Sequence, residues 1–240
     1  MLQREGCPVE KEYPFYSGHT ILMDDRFFKL TTDTVLLSYF AQPRKGEHGV
    51  DLGAGTGCLG LLCMLRNPGV TVDGVELIEG AAALAERNYE RCGVKQRAKI
   101  VNADYTRYKF ERRYDFCISN PPYFSPARGK ASLSPEIDAA RRAELEGVCS
   151  AAARALKTSG SFYFCLRPER LDGAFSALHG CGFFVKRLRF VHDRAESKAS
   201  IVLISARRGN EGVKIEPPLI LRDQNGYTKE YCDIYGQYLR

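Results

Sequence analysis

A glycine-dense segment, Asp51-Leu52-Gly53-Ala54-Gly55-Thr56-Gly57, has the residue types and spacing of a ligand-binding loop. It follows an apolar, β-rich run and precedes a helix-like stretch. Glycines at such a junction let the backbone turn tightly and approach a ligand closely. The N-terminus of the next helix favours a negative group such as a carboxylate. Residues 55–60 also match the Gly-x-Gly-x-x-Gly fingerprint of dinucleotide-binding proteins, so the loop alone leaves more than one nucleotide cofactor open.

Carboxylates stand at the ends of the two following β-rich runs. Glu76 closes the second run and could accept hydrogen bonds from both hydroxyls of a ribose. Asp104 follows the third run and could accept a hydrogen bond from an adenine amino group, although capping a turn is a competing role for it. The expected cofactor-binding residues of the loop and these strand ends are Asp51, Gly53, Ala54, Gly55, Glu76, Leu77 and Asp104.

The segment Asn120-Pro121-Pro122-Tyr123 follows the fourth β-rich run and resembles the motif of amino-methyltransferases acting on adenine N6, cytosine N4 or the glutamine side-chain nitrogen. These nitrogens are poor nucleophiles because their lone pairs are delocalised. Asn120 Oδ1 and the Pro121 carbonyl could accept the two N–H bonds and aim the lone pair at a sulfonium methyl group. Tyr123 would stack on a planar substrate. We therefore expect Asn120, Pro121 and Tyr123 to be catalytic, with Asn120 also contacting the cofactor.

Together, the Asp before the glycines and the second motif favour S-adenosylmethionine over NAD, because an NAD dehydrogenase would leave Asn-Pro-Pro-Tyr unexplained. The elements that position both motifs alternate along the chain. Helix-like stretches separate the β-rich runs, which indicates βαβ units and a parallel sheet, and only a short charged segment joins the last two runs, so those pair antiparallel. This outline predicts a Rossmann-like class I methyltransferase with a mostly parallel seven-stranded sheet and an antiparallel C-terminal hairpin. The runs are His48 to Leu52, Val70 to Glu76, Lys99 to Asn102, Tyr114 to Ser119, Gly160 to Arg167, Phe183 to Val191 and Ile201 to Ala206, and the helix-like stretches are Cys58 to Arg66, Gly80 to Cys92 and Arg141 to Lys157.

Two further segments narrow the resemblance. Residues 28–37 resemble the Lys-x-x-Thr-Asp-x-x-Leu-Leu segment of the tRNA(Val) adenine-N6 methyltransferase family, which modifies the adenine just 3′ of the anticodon. Residues 217–220 and 226–230 resemble the tail of the same family. The resemblance implies that Lys29, Thr32 and Asp33 lie beside the cofactor. Thr32 or Asp33 could also be the N-cap of a helix running to about Phe40.

Composition is that of an ordinary globular protein of 240 residues with a net charge of +6, which mildly favours a polyanionic partner. Nine scattered cysteines with no Cys-x-x-Cys pair predict reduced thiols and no metal site. No apolar run is long enough for a membrane span, and residues 1–12 do not resemble a secretory signal, so we expect a cytoplasmic protein. We expect residues 1–240 to form a single methyltransferase domain, with residues 1–30 as a short N-terminal extension.

Basic residues predict where RNA phosphates would bind. A cluster on the terminal hairpin carries more positive than negative charge and consists of Lys186, Arg187, Arg189, Arg194 and Lys198. Two more basic residues follow the Asn-Pro-Pro-Tyr motif. A solvated surface is an equally good interpretation of the cluster. The expected RNA-binding residues are Arg128, Lys130, Arg187, Arg189, Arg194 and Lys198.

The sequence therefore predicts an S-adenosylmethionine-dependent methyltransferase acting on the N6 amine of an adenine in tRNA, next to the anticodon of a tRNA(Val)-like substrate. Two alternatives stay open. A protein-glutamine N5 methyltransferase uses the same motif but normally carries a larger N-terminal substrate domain. A catalytically inactive, cofactor-binding RNA-interaction protein is the other alternative, and the intact Asn120 and Tyr123 argue against it.

Overall fold

A nine-stranded sheet with helices on both faces forms the centre of the protein. The computed structural model describes residues 10–27, 30–121, 135–209 and 212–236, and for residues 135–143 it describes the helix backbone only. In chain order the elements are β1 (Glu10–Pro14), β2 (Thr20–Asp24), α1 (Thr32–Phe40), β3 (His48–Leu52), α2 (Cys58–Arg66), β4 (Thr71–Glu76), α3 (Glu79–Arg91), β5 (Ile100–Asn102), β6 (Tyr114–Ser119), α4 (Pro135–Ala155), β7 (Leu156–Leu166), α5 (Leu171–Gly180), β8 (Phe184–His192), β9 (Ala199–Arg207), β10 (Lys214–Ile215), β11 (Leu219–Ile220), β12 (Arg222–Asp223), β13 (Gly226–Tyr227) and α6 (Lys229–Tyr235).

Seven strands run in the order β5-β4-β3-β6-β7-β9-β8, and the two-residue strands β10 and β11 both pair with β8. The first five are parallel, whereas β9 is antiparallel to both β7 and β8. The predicted Rossmann-like class I methyltransferase fold with its antiparallel C-terminal hairpin is thus confirmed. Strands β10 and β11 could not be predicted from the sequence, because two residues are too few to show an alternation of apolar and polar side chains.

The central strands are apolar on both sides because helices cover both faces of the sheet. On β6, Phe116 and Ile118 pack in the cluster that contains α1, α2 and α3, whereas Cys117 packs in the cluster that contains α4 and α5. Gly49 on β3 lies so close to the Phe116 ring that an added Cβ would be 2.2 Å from it. Residue 49 of β3 must therefore lack a side chain, because the Phe116 ring of the neighbouring strand β6 fills the space.

Two helices, α5 and α6, and two hairpins, β1–β2 and β12–β13, were not predicted. Helix α5 contains Gly173 and ends at Gly180. Because glycine disfavours a helix, this short stretch resembles a loop in the sequence. The hairpin of β1 and β2 lies in a region that carried no selective sequence motif. Helix α2, in contrast, has the predicted bounds, and the remaining predicted elements differ mainly at their ends. Within the described residues, none of the helices combines the length and the apolar character that a membrane span requires.

Asn88 of α3 attaches the N-terminal hairpin to the rest of the fold. Its Oδ1 accepts a hydrogen bond from Leu22 N at 2.7 Å, and its Nδ2 donates to Leu22 O at 3.0 Å. The same Nδ2 donates to Thr56 O, in the glycine loop, at 3.0 Å. Asn88 is fully buried, and Phe15 and Ile21 of the hairpin region are buried in the core cluster that also contains Tyr89 of α3. One side chain therefore ties the hairpin, α3 and the loop together.

We expect Asn88→Ala to lower the free energy of unfolding by at least about 2 kcal/mol, because it removes the hydrogen bonds that Asn88 makes with Leu22 N, Leu22 O and Thr56 O. Urea denaturation measures this loss, and amide hydrogen exchange at Leu22 should become faster. The matched control is Arg87→Ala, which removes only an exposed ion pair with Glu10 and should cost less than about 1 kcal/mol. Equal, small losses in both variants would show that Asn88 does not hold the hairpin.

Candidate active site

Two loops leave the same edge of the sheet side by side. The strands β3 and β6 are adjacent and parallel, so their carboxyl ends lie together. Ser119, the last residue of β6, donates a hydrogen bond from Oγ to Leu52 O at 2.8 Å. The residue after Ser119 is Asn120, and the residue after Leu52 is Gly53. The backbone therefore brings the two sequence motifs to one place.

The glycine loop has a backbone that other residues adopt only with strain. Gly53, Gly55 and Gly57 have φ angles of 76°, 55° and 84°. Gly57 is the N-cap of α2, and a Cβ there would lie 2.7 Å from the Tyr89 ring. These positive φ angles account for the glycine spacing that the sequence displays.

Glu76 connects the loop to the end of β4. Its Oε2 accepts a hydrogen bond from Gly55 N, and its Oε1 accepts one from Ile78 N, both at 2.8 Å. An ionised carboxylate has about four acceptor positions, so each oxygen can accept a further bond. Next to it, the side chain of Leu77 is exposed, with 65% of its surface accessible. The strand end thus presents two acceptors beside an apolar side chain.

Asp104 and Asn102 shape the neighbouring turn. Asp104 Oδ1 accepts hydrogen bonds from Thr106 Oγ1 at 2.6 Å and from Thr106 N at 2.8 Å. These bonds hold the pKa of Asp104 below its usual range, so it is ionised and caps a turn. Asn102, to which no role was assigned from the sequence, donates from Nδ2 to the carbonyls of Glu76 and Leu77, at 2.9 Å in both cases. Asn102 therefore holds the backbone at the end of β4, from which the Glu76 side chain reaches the glycine loop.

Asp51 lies under the loop and is almost completely buried. Its Oδ2 accepts a hydrogen bond from Gly60 N at 3.2 Å, while Oδ1 has no hydrogen-bond partner among the described residues. Burial, opposed by the Gly60 hydrogen bond and reinforced by the charge of Glu76, raises the pKa of Asp51 to about 8. Asp51 is therefore predominantly protonated at neutral pH.

The N-terminus of α1 lies beside Asn120, but its cap differs from the expectation. Thr31 is the N-cap, and its Oγ1 accepts from Thr34 N at 3.4 Å, so neither Thr32 nor Asp33 caps the helix. Thr32 interacts with the Tyr231 hydroxyl of α6, and this interaction lowers the pKa of Tyr231 against the larger, opposite effect of burial. Burial raises the pKa of Asp33, and the charge of Arg167 opposes this rise. Lys29 lies outside the described residues.

Asn120 is held on both sides of its amide group. Nδ2 donates to Thr34 Oγ1 at 3.1 Å, and Oδ1 accepts from the Cys165 thiol at 3.2 Å. The sequence had assigned neither partner, because each is distant along the chain and neither lies in a recognisable motif. Pro121 follows and is partly exposed, whereas Tyr123 lies outside the described residues.

The basic cluster is not a free patch, because two of its arginines are committed within the protein. Arg187 donates to Phe40 O, its guanidinium lies 4.0 Å from the Phe40 ring centre, and its Nε lies 3.4 Å from Glu216. Arg189 bonds Glu230 at 2.6 Å and has a side chain only 13% exposed. Both therefore hold the C-terminal segment, and the expectation that they bind RNA is revised.

The remaining basic residues divide into two groups. Arg194 is exposed and donates to Asp223 O at 3.0 Å, and Lys198 is exposed with no hydrogen bond or ion pair among the described residues. Both lie between the end of β8 and the start of β9, on the sheet edge that carries Asn120. Arg128 and Lys130 lie outside the described residues.

Where the structure describes side chains, it contains no group of three or more potential metal ligands.

The raised pKa of Asp51 should make the stability of the protein depend on pH. The unfolded chain releases this proton near its ordinary pKa of 3.8, while the folded protein keeps it up to about pH 8. Raising the pH between these values therefore favours the unfolded state, by at most about 1.4 kcal/mol per pH unit. Asp51→Asn should remove this contribution, so that wild type loses stability relative to the variant up to about pH 8. Urea denaturation of both proteins from pH 4.5 to 8.5 measures the difference, and parallel pH curves would contradict it.

Comparisons with known proteins agree with this geometry. The family model of the methyltransferase small domain matches residues 29–170. Among solved structures, a predicted O-methyltransferase from Agrobacterium tumefaciens has a TM-score of 0.70 at 20% identity, with 86% of this chain and 97% of that chain covered. TrmN from Thermus thermophilus has a TM-score of 0.58 at 18% identity, with 73% and 48% covered. These two structures share the fold.

Curated relatives carry a more specific name. A tRNA1(Val) (adenine(37)-N6)-methyltransferase from Cronobacter sakazakii is 31% identical over 96% of this chain and 93% of its own length. The protein of the same name from Bacteroides thetaiotaomicron is 28% identical over 94% and 97%. In both cases the similarity extends over almost the whole chain. The chain therefore belongs to the tRNA1(Val) (adenine(37)-N6)-methyltransferase family, within the methyltransferase small domain family.

Proposed function

We propose that this protein transfers the methyl group of S-adenosylmethionine to the N6 amine of an adenine in tRNA, in a tRNA(Val)-like anticodon loop. The observation that carries the proposal is the Ser119–Leu52 hydrogen bond, which sets Asn120 beside the glycine loop. The names of its relatives support the same reaction. The packing of the N-terminal hairpin on α3 supports residues 1–240 as a single catalytic domain.

The residues at the sheet edge fit S-adenosylmethionine. The Glu76 carboxylate keeps an acceptor position on each oxygen for the ribose hydroxyls, and Leu77 offers an apolar surface to a flat base. The loop carries Gly53 and Gly55 without side chains, and the unpartnered Oδ1 of Asp51 lies beneath it. Asp104 Oδ2 receives neither of the Thr106 hydrogen bonds, and the exposed Arg107 lies 4.0 Å from it, so it can still accept a hydrogen bond from an adenine amino group. When bound, S-adenosylmethionine supplies an electrophilic methyl group on a sulfonium centre.

Asn120 performs the step that the substrate requires. The lone pair of an adenine N6 amine is delocalised into the ring, so the amine attacks poorly unless its N–H bonds are held. Asn120 Oδ1 accepts one N–H bond, the Pro121 carbonyl accepts the other, and the nitrogen lone pair is then aimed at the methyl group. Tyr123 would stack on the adenine ring. On the N-terminal side, we propose that Lys29, Thr32 and Asp33 line the cofactor site.

We propose that RNA phosphates bind to the basic residues that are not held by the C-terminal segment. Arg194 and Lys198 lie on the same sheet edge as Asn120, so they can meet phosphates of a loop whose adenine enters the site. Arg128 and Lys130 follow the catalytic motif closely in sequence and are assigned the same role. Arg187 and Arg189 are left out, because their guanidinium groups already hold the C-terminal segment.

Glu76→Ala should weaken S-adenosylmethionine binding by about 1.5 to 3 kcal/mol, the range for hydrogen bonds to charged groups. The loss has two causes, because the variant also releases the Gly55 amide that Glu76 holds. Isothermal titration calorimetry measures the affinity. Glu79→Ala, which removes an exposed carboxylate on the next helix, is the control and should bind normally. Unchanged affinity in Glu76→Ala would show that this strand end does not hold the cofactor.

The test of the proposed function uses labelled S-adenosylmethionine and unmodified total tRNA. We expect label in tRNA, and mass spectrometry of the digested nucleosides should identify N6-methyladenosine. Asn120→Ala should retain cofactor affinity within a few-fold while its turnover falls by roughly 100- to 1,000-fold, by analogy with the loss of one oxyanion-hole donor. Label found only in glutamine of an added protein substrate, or near-normal turnover in Asn120→Ala, would contradict the proposal.

A further inference from the structure

The amide of Asn120 takes part in a chain of hydrogen bonds that reaches into α1. Its Nδ2 donates to Thr34 Oγ1 at 3.1 Å, and Thr34 Oγ1 lies 3.2 Å from Thr31 Oγ1. Thr31 Oγ1 is in turn the N-cap acceptor for Thr34 N. Thr34 is buried, with 7% of its surface exposed. The side chain at the reaction centre is therefore linked to the first turn of a helix.

The direction of these hydrogen bonds follows from what each group can do. An amide nitrogen only donates, so the Thr34 hydroxyl must accept from Asn120. Its own proton is then free to be donated to Thr31 Oγ1, 3.2 Å away. Serine and threonine can fill this double role, but valine, which has the same shape as threonine, cannot. The position therefore requires a hydroxyl.

The opposite side of the amide is also occupied. Cys165 of β7 is fully buried, and its thiol donates to Asn120 Oδ1 at 3.2 Å. A carbonyl oxygen has two lone pairs, so Oδ1 keeps one acceptor position for a substrate N–H. If the amide turned by 180°, its N–H groups would face the N–H groups of the substrate amine, and no hydrogen bond could form. The orientation of the amide therefore decides whether Asn120 can work.

We propose, on the basis of the function proposed above, that Thr34 is a positioning residue that acts through Asn120. With Thr31 behind it, Thr34 holds Nδ2 turned towards α1 and thereby presents Oδ1 to the substrate amine. Cys165 secures the same orientation from the other side. Thr34 itself contacts neither substrate nor cofactor in this proposal, so its effect should be confined to turnover.

The first test compares variants of equal shape. Thr34→Val should reduce kcat for tRNA methylation at least tenfold, with the KM for tRNA and the Kd for S-adenosylmethionine within twofold of wild type. Thr34→Ser keeps the hydroxyl and should stay within about threefold in kcat. Ser38→Ala is the control, because it removes another buried hydroxyl of α1, which among the described residues donates to Val35 O and accepts from Arg66. This control should leave kcat unchanged.

A double-variant cycle separates positioning from general loosening of the helix. If Thr34 acts through Asn120, Thr34→Val should cause no further loss in a protein that already carries Asn120→Ala. Single-turnover transfer of labelled methyl groups can resolve such slow reactions. If the Thr34→Val loss appears in full in the Asn120→Ala background, or if Thr34→Val has wild-type kcat, the proposal is overturned.

A spectroscopic readout makes the test independent of the substrate. In protein labelled with ¹⁵N-asparagine, Asn120→Ala identifies the side-chain amide resonance of Asn120. Thr34→Val should shift this resonance and speed its hydrogen exchange, whereas Thr34→Ser and Ser38→Ala should not. An unmoved resonance in Thr34→Val overturns the proposed hydrogen bond. If wild type methylated no tRNA, the proposed function would fail, while this resonance would still decide whether Thr34 orients Asn120.

Discussion

The site depends on the Glu76 carboxylate, which accepts hydrogen bonds from the backbone N–H groups of Gly55 and Ile78. Glu76 joins the glycine loop, which leaves β3, to the end of β4, and Asn102 fixes that end from β5. Three parallel strands are thereby tied together at the edge where the ligands bind. A carboxylate suits this place because it can satisfy two backbone donors and still accept further hydrogen bonds. An amide side chain at residue 76 would have one acceptor oxygen, and an apolar side chain would have none. Neither could accept both backbone hydrogen bonds and also bind the ribose hydroxyls.

Much of the fold could be predicted because its signals are local. The seven main strands are apolar runs, α2 follows its glycines directly, and Glu76 ends its strand where a ribose acceptor was expected. The glycine spacing was informative because the backbone there has positive φ angles. In contrast, Thr34 and Cys165 meet Asn120 across sequence separations of 86 and 45 residues. No local pattern marks such partners, so only the fold could place them.

The arginines show a different limit of sequence analysis. Counting charges over residues 186–198 left Arg187 and Arg189 with few opposing carboxylates nearby. In the fold, Glu216 and Glu230 come from the C-terminal segment and pair with them. An arginine that is largely buried loses its hydration and needs fixed partners, so it becomes a structural group. Charge along the sequence is therefore a weak guide to charge on the surface where later segments fold back over earlier ones.

The attachment of the N-terminal hairpin by Asn88 has a consequence for the newly made chain. The hairpin is synthesised before α3, because Asn88 follows Leu22 by 66 residues along the chain. At synthesis rates of 5 to 20 residues per second, the hairpin waits roughly 3 to 13 seconds before Asn88 has been added. Until then Phe15 and Ile21, which belong to the core, cannot pack against α3. The hairpin can therefore complete its packing only after α3 has been synthesised, although its own residues are made earlier.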